Sequence, residues 1–475
     1  MKNYKFIVHI FLLAIGLTGC LPTQVAKHTS TKPAPNSYSI GSDTANIATI
    51  SWKEYFADKN LINLIDTALI KNYDVLTALQ RIEAASGGVQ FGKGMLLPSV
   101  SANGVAAIRR FGLYTMDGAG NSTTDILPGQ VVPTNLPDYF VGLQTTWEAD
   151  ITGKLRNRKK AAVARYLSSM EGKNWIVTSL VAEVASTYYG LQALDQELEM
   201  IRENISLQQD ALSVVTIQKE SGAANELAVR QFNAQLLNTR SLEIEIAQQI
   251  IEVENKINFL LGRYPQPINR ETTLFTHAIP ARIKTGIPSD LLRNRPDIKQ
   301  AELELIAAKA DVKAARAAFY PSLNITGGVG FQAFKPNLLF TSPESFAFSL
   351  IGGLYAPLIN RSAIKANFKG ATAYQVETLY NYQRSILNGY LEVYTEVNNI
   401  QNLQKIFALR DEEVAVLSRS IETSNELFRT GRATYLEVLL AQQNALNARL
   451  DFIDVRKRQL LSNVNIYKAL GGGWK

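Results

Sequence analysis

The sequence predicts an α+β membrane protein in which a duplicated unit supplies four transmembrane β-strands and long coiled-coil-like helices per chain. Three observations support this prediction: an internal duplication, apolar residues repeated every seven positions, and short segments of alternating apolar and polar residues. The mean hydropathy of −0.04 and the presence of only one long apolar run, Phe6–Leu21, exclude a polytopic helical membrane protein. A chain of 475 residues is long enough for a repeated architecture of this kind.

The first 20 residues have the layout of a secretory leader, because lysines precede an apolar stretch that is too short to span a bilayer well. The stretch ends in Leu17-Thr18-Gly19-Cys20, which is similar to the lipobox of bacterial lipoproteins. We expect cleavage before Cys20 and lipid attachment to this residue, the only cysteine of the chain. The alternative is an ordinary cleaved signal with a chance cysteine. Leu21 replaces the aspartate that retains enteric lipoproteins at the inner membrane, which favours an outer-membrane destination.

Two blocks of the sequence align with later blocks without gaps. Residues 72–104 align with 295–327 at an offset of 223, and residues 222–262 align with 431–471 at an offset of 209. Because 223 exceeds 209 by 14, the first copy has 14 additional residues between the blocks. They fall within 117–137, where Gly, Asn, Thr and Pro predict a longer loop. Two copies of one unit therefore make up most of the chain.

Long stretches of both copies carry apolar residues at the heptad spacing that is typical of coiled-coil helices. Gly222 and Gly431 stand where two such stretches reverse, as glycine does at helix ends. The stretch from Lys154 to Gly222 corresponds to about 100 Å of helix at 1.5 Å per residue. Helices of that length require parallel neighbours. One heptad row comprises Val184, Leu191, Leu198, Ile205 and Leu212.

Between the helical stretches the apolar period changes to two residues, which predicts β-strands at about 98–115, 137–150, 321–335 and 344–358. Strands that are apolar on one face and small or polar on the other indicate a transmembrane barrel. A soluble sandwich shows the same alternation. Because four strands cannot close a barrel and open edges are not tolerated in lipid, membrane insertion requires several chains.

Two long segments carry a resemblance to a known family. One is GIPSDLLRNRPDIKQAELELIAAKADVKAARAAFYPSLNITGG at Gly286–Gly328, and the other is YLEVLLAQQNALNARLDFIDVRKRQLLSNVNIYKALGGGW at Tyr435–Trp474. Shorter support comes from LLPSVSANG, from TTWEADITGKLRNRKKAA and from the lipobox. Together they resemble the TolC-type outer-membrane efflux proteins, in the lipoprotein branch that serves RND-type multidrug pumps.

The resemblance implies a homotrimer whose strands form one 12-stranded β-barrel in the outer membrane, continued by a periplasmic α-helical barrel. It implies a passive duct that exports drugs and other toxic small molecules, with the energy supplied by the inner-membrane RND pump. A periplasmic adaptor, or membrane fusion protein, would join the pump to the duct. The implied partners are thus two further copies, the adaptor, the pump and outer-membrane lipid, without nucleic acid, metal or cofactor.

The predicted organisation follows the duplication and the resemblance. Each structural repeat would contain a helix, two strands and a helical hairpin, with the hairpin tips near residues 222 and 431. The predicted segments are a signal peptide at 1–19, a lipidated tether and equatorial segment at 20–60, a first repeat at 61–262, an equatorial linker at 263–288, a second repeat at 289–471 and a tail at 472–475.

The resemblance also suggests functional positions at the hairpin tips. Many family members close the periplasmic end with an aspartate in a V-L-D-A-Q stretch, but the matching residue here is Leu440. Glu437, nearly one turn earlier, or ion pairs among Glu426, Arg429 and Arg432 would replace that acidic ring. The alternative is that these residues are solvated surface charges. The candidate gate therefore comprises Glu437 and Leu440. The candidate adaptor contacts are Gly222, Glu226, Arg429, Gly431 and Arg432.

Other functions have weaker support in the sequence. No Ser-His-Asp set, P-loop or HExxH motif is present, so we predict that the protein is not an enzyme. The basic run Lys154–Lys160 suggests nucleic acid only superficially, because behind a signal peptide it fits a solvated helix start near the lipid surface. The same architecture would also serve type I protein secretion or heavy-metal cation efflux. A periplasmic adaptor or a structural coiled-coil lipoprotein would lack the duplicated strand pairs.

Overall fold

The structure is a computed structural model that describes residues 46–271, 284–359 and 361–475, together with Pro35 and Tyr38. The predicted signal peptide, the predicted lipid-bearing Cys20 and part of the predicted equatorial linker lie outside the described residues.

The described residues form ten α-helices and six β-strands, besides short 3-10 turns. The helices are α1 (Trp52–Tyr55), α2 (Lys59–Lys71), α3 (Tyr73–Gly94), α4 (Met116–Thr123), α5 (Lys154–Glu220), α6 (Glu226–Leu260), α7 (Leu291–Asn294), α8 (Pro296–Ala317), α9 (Ser362–Arg429) and α10 (Tyr435–Ala469). The strands are β1 (Ser99–Arg109), β2 (Asp125–Leu127), β3 (Gln130–Val131), β4 (Leu136–Ala149), β5 (Ser322–Ala333) and β6 (Phe346–Tyr355).

Four strands form one antiparallel sheet in the order β1-β4-β5-β6. The central pair joins the two sequence copies, because β4 belongs to the first copy and β5 to the second. Val141 of β4 lies opposite Gly104 of β1 on one side and opposite Phe331 of β5 on the other. The outer edges of β1 and β6 have no strand partner among the described residues.

One face of this sheet is apolar and the other is small or polar, as the alternating pattern predicts. The register aligns Leu143 of β4 with Val329 of β5 and Val329 with Phe348 of β6, all on the apolar face. Phe348, the outermost of these side chains, is 79% exposed. The opposite face includes Asn103 and Gln144, whose amides are joined by a hydrogen bond of 2.6 Å.

The segment that separates the two strands of the first copy differs from the predicted plain loop. Strand β1 ends at Arg109 rather than near 115, and the additional residues fold into α4 and the small β2–β3 hairpin. The Thr115 hydroxyl accepts a hydrogen bond from the Gly118 N–H at 3.1 Å, which caps the first turn of α4. The prediction of a loop was wrong because a helix of eight residues is too short to show a recognisable apolar period.

The chain divides into two compact units. Among the described residues, the sheet unit contains 84–166 and 303–380, and the helical unit contains the segments up to 83, 167–302 and 381–475. Each unit contains parts of both sequence copies. In the sheet unit, Ala161 and Ala164 of α5 pack with Ala307 and Ala310 of α8, where small side chains permit close helix approach.

The helical unit is organised around the predicted heptad rows. Val184, Leu191 and Ile205 of α5 are buried in a core shared with Ile250 and Ile257 of α6. Burying each large apolar side chain stabilises the folded state by about 1.5–3 kcal/mol. No helix within the described ranges is both long and apolar enough to cross a bilayer.

Candidate functional site

The tip of the first hairpin is a five-residue turn between α5 and α6. Gly222 has a φ of 79°, in the left-handed region that favours glycine, and the N–H of Ala223 donates to the carbonyl of Gln218 at 2.8 Å. The Asn225 side chain then accepts from the Ala228 N–H at 2.9 Å and caps α6. The turn therefore follows from a glycine stop signal and an asparagine start signal.

The candidate residue Glu226 lies between two cations at this tip. Its carboxylate is 2.5 Å from Lys219 Nζ and 3.1 Å from Arg230 Nη2. The hydrogen bond from Lys219, followed by its charge and that of Arg230, holds the pKa of Glu226 below the usual value. The carboxylate is thus ionised and partly neutralised by its neighbours.

The second tip repeats the geometry between α9 and α10. Gly431 has a φ of 69°, and the N–H of Arg432 donates to the carbonyl of Leu427 at 2.8 Å. The side chains of Arg429 and Arg432 are exposed and place two positive charges at this turn. Within the described part of this single chain, Glu426, Arg429 and Arg432 form no ion pair with one another. Ion pairing of these residues between copies of the chain stays a prediction.

The two hairpin tips pack on each other within the helical unit. Val215, Ala228 and Phe232 form a buried cluster in the first hairpin. Tyr435 and Leu439, from the first turns of α10, pack against that cluster. Residues from the tips of both sequence copies are therefore brought into contact.

The two candidate gate residues have different environments on α10. Glu437 accepts hydrogen bonds from the Thr434 backbone N–H at 2.5 Å and from the Thr434 hydroxyl at 3.0 Å. These bonds, the backbone one first, lower the pKa of Glu437 below its usual value. Its carboxylate thus caps the helix N-terminus. Leu440 has no such role and is 47% exposed.

A buried arginine that sequence reasoning missed connects three parts of the helical unit. Arg295 is only 1% exposed and makes paired hydrogen bonds to Asp297 at 3.0 and 2.7 Å. It also donates to Glu392 at 2.6 Å and to the Ala469 carbonyl at 2.9 Å. Burial alone would lower the pKa of Arg295, but the bonds to the two carboxylates raise it. Its position beside the Pro-Asp helix start was the available signal.

A second arginine, at the start of the predicted equatorial linker, forms ion pairs with the first hairpin. Arg270 lies 2.5 Å from Asp195 of α5 and 2.5 Å from Glu254 of α6. Hydrogen bonding to Asp195 is the largest influence on the pKa of Arg270 and raises it. Both arginine clusters fit a structural role, because each of these carboxylates accepts a hydrogen bond from the arginine. In the described ranges, no group of three or more His, Cys, Asp or Glu side chains is arranged to hold a metal ion.

A sheet with one uncovered apolar face, joined to long helical hairpins with capped turns, is the architecture of outer-membrane channels with helical extensions. The chain belongs to the outer membrane efflux protein family, which it matches over residues 64–263 and 287–472. The predictions of a family, of an α+β channel fold, of an outer-membrane efflux function and of a non-enzyme are confirmed by this membership.

Several characterised proteins resemble the chain over nearly its full length. It is 26% identical over 468 residues to the cation efflux system protein CusC of Escherichia coli, covering 98% of both chains. It is 27% identical over 449 residues to the toluene efflux pump outer membrane protein TtgI of Pseudomonas putida, covering 93% and 92%. It is 30% identical over 424 residues to the pyoverdine export outer membrane protein OpmQ of Pseudomonas putida, covering 89% and 88%.

Solved structures have the same fold. The open state of the MtrE outer membrane channel of Neisseria gonorrhoeae superposes with a TM-score of 0.82, at 22% identity and with 96% of this chain and 99% of that one covered. A crystal structure of CusC superposes with a TM-score of 0.81, at 24% identity, covering 95% and 99%. At these identities the superpositions support the fold alone.

Proposed function

We propose that three copies of this chain form the outer-membrane duct of a tripartite RND-type efflux pump, anchored by lipid at Cys20. One observation carries the proposal: a four-stranded antiparallel sheet with one apolar face and two edge strands that lack partners among the described residues. Unpaired edges cost several kcal/mol for each exposed backbone group in lipid, so the sheet is stable there only when other copies close it. Three copies supply twelve strands.

The trimer and the anchor have a direct test. Outer membranes extracted with mild detergent should yield a trimer that resists SDS at room temperature and dissociates to a monomer on heating. Cys20→Ser should remove labelled palmitate and leave the trimer intact, because the anchor lies outside the sheet. A monomer confined to the inner-membrane fraction would contradict the proposal.

The paired hairpin tips are proposed as the contact for the periplasmic adaptor. A photo-reactive residue at Arg429 or Arg432 should cross-link to the adaptor in whole cells, whereas one at the exposed Arg240 of α6 should not. Cross-linking at Arg240 alone would place the contact elsewhere. Co-expression of this chain with candidate adaptor and pump pairs identifies its partners, because only the matching pair should restore efflux.

Leu440 is the proposed gate residue, because the carboxylate of Glu437 is engaged in capping α10. Three copies of a half-exposed leucine would form an apolar constriction, which hinders passage of hydrated solutes. Leu440→Ala should therefore raise single-channel conductance and sensitivity to large antibiotics. Glu437→Gln should leave both nearly unchanged. The reverse result would assign the gate to Glu437.

Relatives of this chain serve several classes of transported substrate. CusC is a cation efflux protein and TtgI a toluene efflux protein, and both resemble this chain over more than nine tenths of its length. We propose organic toxicants as the principal class, on the multidrug-type resemblance of the lipoprotein branch. Loss of the gene should lower tolerance to solvents and drugs. Loss of copper or silver tolerance alone would favour the cation alternative.

A further inference from the structure

The helix–strand junctions of the sheet unit are strongly basic. The four segments 84–98, 150–166, 303–321 and 356–380 lead into or out of the sheet and contain 13 Lys and Arg residues but only four acidic residues, a net charge of +9. The whole chain has a net charge of +7. The remainder of the chain is therefore slightly acidic, and the excess positive charge is confined to these junctions.

All four junctions lie at the same end of the sheet. The antiparallel register places the start of β1 opposite the end of β4, and the start of β5 opposite the ends of both β4 and β6. Most of the basic residues are within about ten residues of a strand end, or about 15 Å along a helix. They therefore form a collar around one rim of the sheet.

Few of these cations are neutralised within the chain. Ion pairs join Lys154 to Glu148 at 2.5 Å, Arg156 to Asp150 at 3.0 Å, and Arg165 to Asp311. Eight further basic residues of the junctions are exposed and have no ion pair within the described ranges. This basic collar comprises Lys93, Arg158, Lys160, Lys309, Lys313, Arg316, Lys365 and Lys369.

Exposed apolar side chains lie between the basic collar and the strands. Leu97 precedes β1, Ile151 follows β4, Tyr320 precedes β5, and Leu358 and Ile359 follow β6. Ile359 is 90% exposed. An apolar girdle with cations beside it fits a lipid surface, because the apolar groups enter the acyl region while the long basic side chains reach the phosphates. A dissolved polyanion would need only the cations.

We propose that the basic collar binds anionic phospholipid headgroups of the phosphatidylglycerol type, and so holds the sheet at a fixed depth in the membrane. This inference rests on the proposed function, since it requires the sheet to be in a bilayer. Each basic residue near an anionic lipid surface contributes about 1 kcal/mol, which corresponds to about a five-fold preference. The basic collar would therefore discriminate between lipids by headgroup charge and would have no direct part in transport.

The experiment uses the full-length trimer reconstituted in phosphatidylcholine bilayers with spin-labelled phosphatidylglycerol or spin-labelled phosphatidylcholine. The wild type should associate with the labelled anionic lipid at least about five-fold more strongly, and added salt should reduce the preference. The variant Arg158→Gln/Lys160→Gln/Lys313→Gln/Lys365→Gln should lose it. The control Lys59→Gln/Arg240→Gln/Lys405→Gln/Arg419→Gln removes the same charge from the helical unit and should retain it.

The heat-modifiable trimer and its conductance are measured on every variant. Trimers that conduct normally but show no preference for the anionic lipid, or that keep the preference in the collar variant, would overturn this inference and leave the proposed function standing. Equal loss in the collar and control variants would also overturn it, because net charge alone would then be responsible. Failure of the wild type to insert as a trimer would overturn the proposed function itself.

Discussion

At the scale of single residues, Arg295 is a charged side chain that is buried where several elements meet. Arg295 contacts the start of α8, the middle of α9 and the end of α10. Trp175 of α5 lies against its guanidinium, with the Arg295 Cζ atom 5.2 Å from the ring centroid. An arginine suits this position because its planar donors bind a carboxylate in pairs.

Replacing Arg295 with alanine should destabilise the protein by about 2–3 kcal/mol. Removing one partner of a fully buried ion pair costs about 3–5 kcal/mol, and a somewhat smaller loss is expected here because Glu392 is half-exposed. Chemical denaturation of the detergent-solubilised protein at fixed concentration measures the change. Arg293→Ala removes a 79% exposed side chain that pairs with Asp290; this control should cost less than about 1 kcal/mol. Equal losses would contradict the assigned role.

The cap at Glu437 gives a prediction with a defined pH dependence. Because its folded-state pKa lies below the usual value of 4.5, the cap contributes stability that is complete above pH 4.5 and is lost as the pH falls below it. The protection of first-turn amides of α10 against hydrogen exchange, measured relative to the intrinsic rate at each pH, should decrease in Glu437→Ala and, for the wild type, at acidic pH. Glu412→Ala, on the exposed surface of α9, should exchange like the wild type. A pH-independent first turn would refute the cap.

At the scale of elements, two glycines of different sequence copies face each other in the sheet. Gly142 of β4 lies opposite Gly330 of β5. A Cβ atom on Gly142 would be 2.4 Å from the Val329 carbonyl oxygen, 2.7 Å from Gly330 Cα and 2.8 Å from the Phe140 ring. The ring of Phe140 covers the space that side chains would otherwise fill.

Gly142→Ala should therefore lower the temperature at which the trimer dissociates in SDS, because backbone atoms have to move to accommodate the new methyl group, at a cost of about 1–3 kcal/mol. Gly104→Ala is the matched control in β1, since nothing lies within 4 Å of its added Cβ. Indistinguishable dissociation temperatures for the two variants would show that β4 and β5 are not in close contact in the assembled protein.

At the scale of the whole molecule, the open edges of β1 and β6 predict contacts between copies. Within one chain these strands are separated by β4 and β5, or by about 14 Å at 4.8 Å per strand, which is too far for a disulfide. Asn103→Cys in β1 combined in turn with Ser349→Cys, Ile351→Cys or Gly353→Cys in β6 should yield covalent dimers and trimers on oxidation. Single-cysteine variants should not. Products confined to monomers would exclude pairing of β1 with β6.

Much of the architecture was predictable because its determinants are local. The helix from Lys154 and the four long strands begin or end within a few residues of the expected positions, except at Arg109, where β1 stops early. Periods of seven and two residues show which face of each element is apolar. The glycines at 222 and 431 likewise indicated the two hairpin turns from their neighbours in the chain.

The sequence by itself determined the duplication, the types of the main elements and the resemblance to a family of channels. Only the structure decided that β4 pairs with β5, that Arg295 is buried between carboxylates, and that the Glu437 carboxylate accepts a hydrogen bond at the start of α10. The physical reason is the separation along the sequence of the residues that interact. Periodicity reflects neighbours within one or two turns, whereas strand pairing and ion pairing depend on the spatial approach of residues that are distant in the sequence or on side-chain geometry.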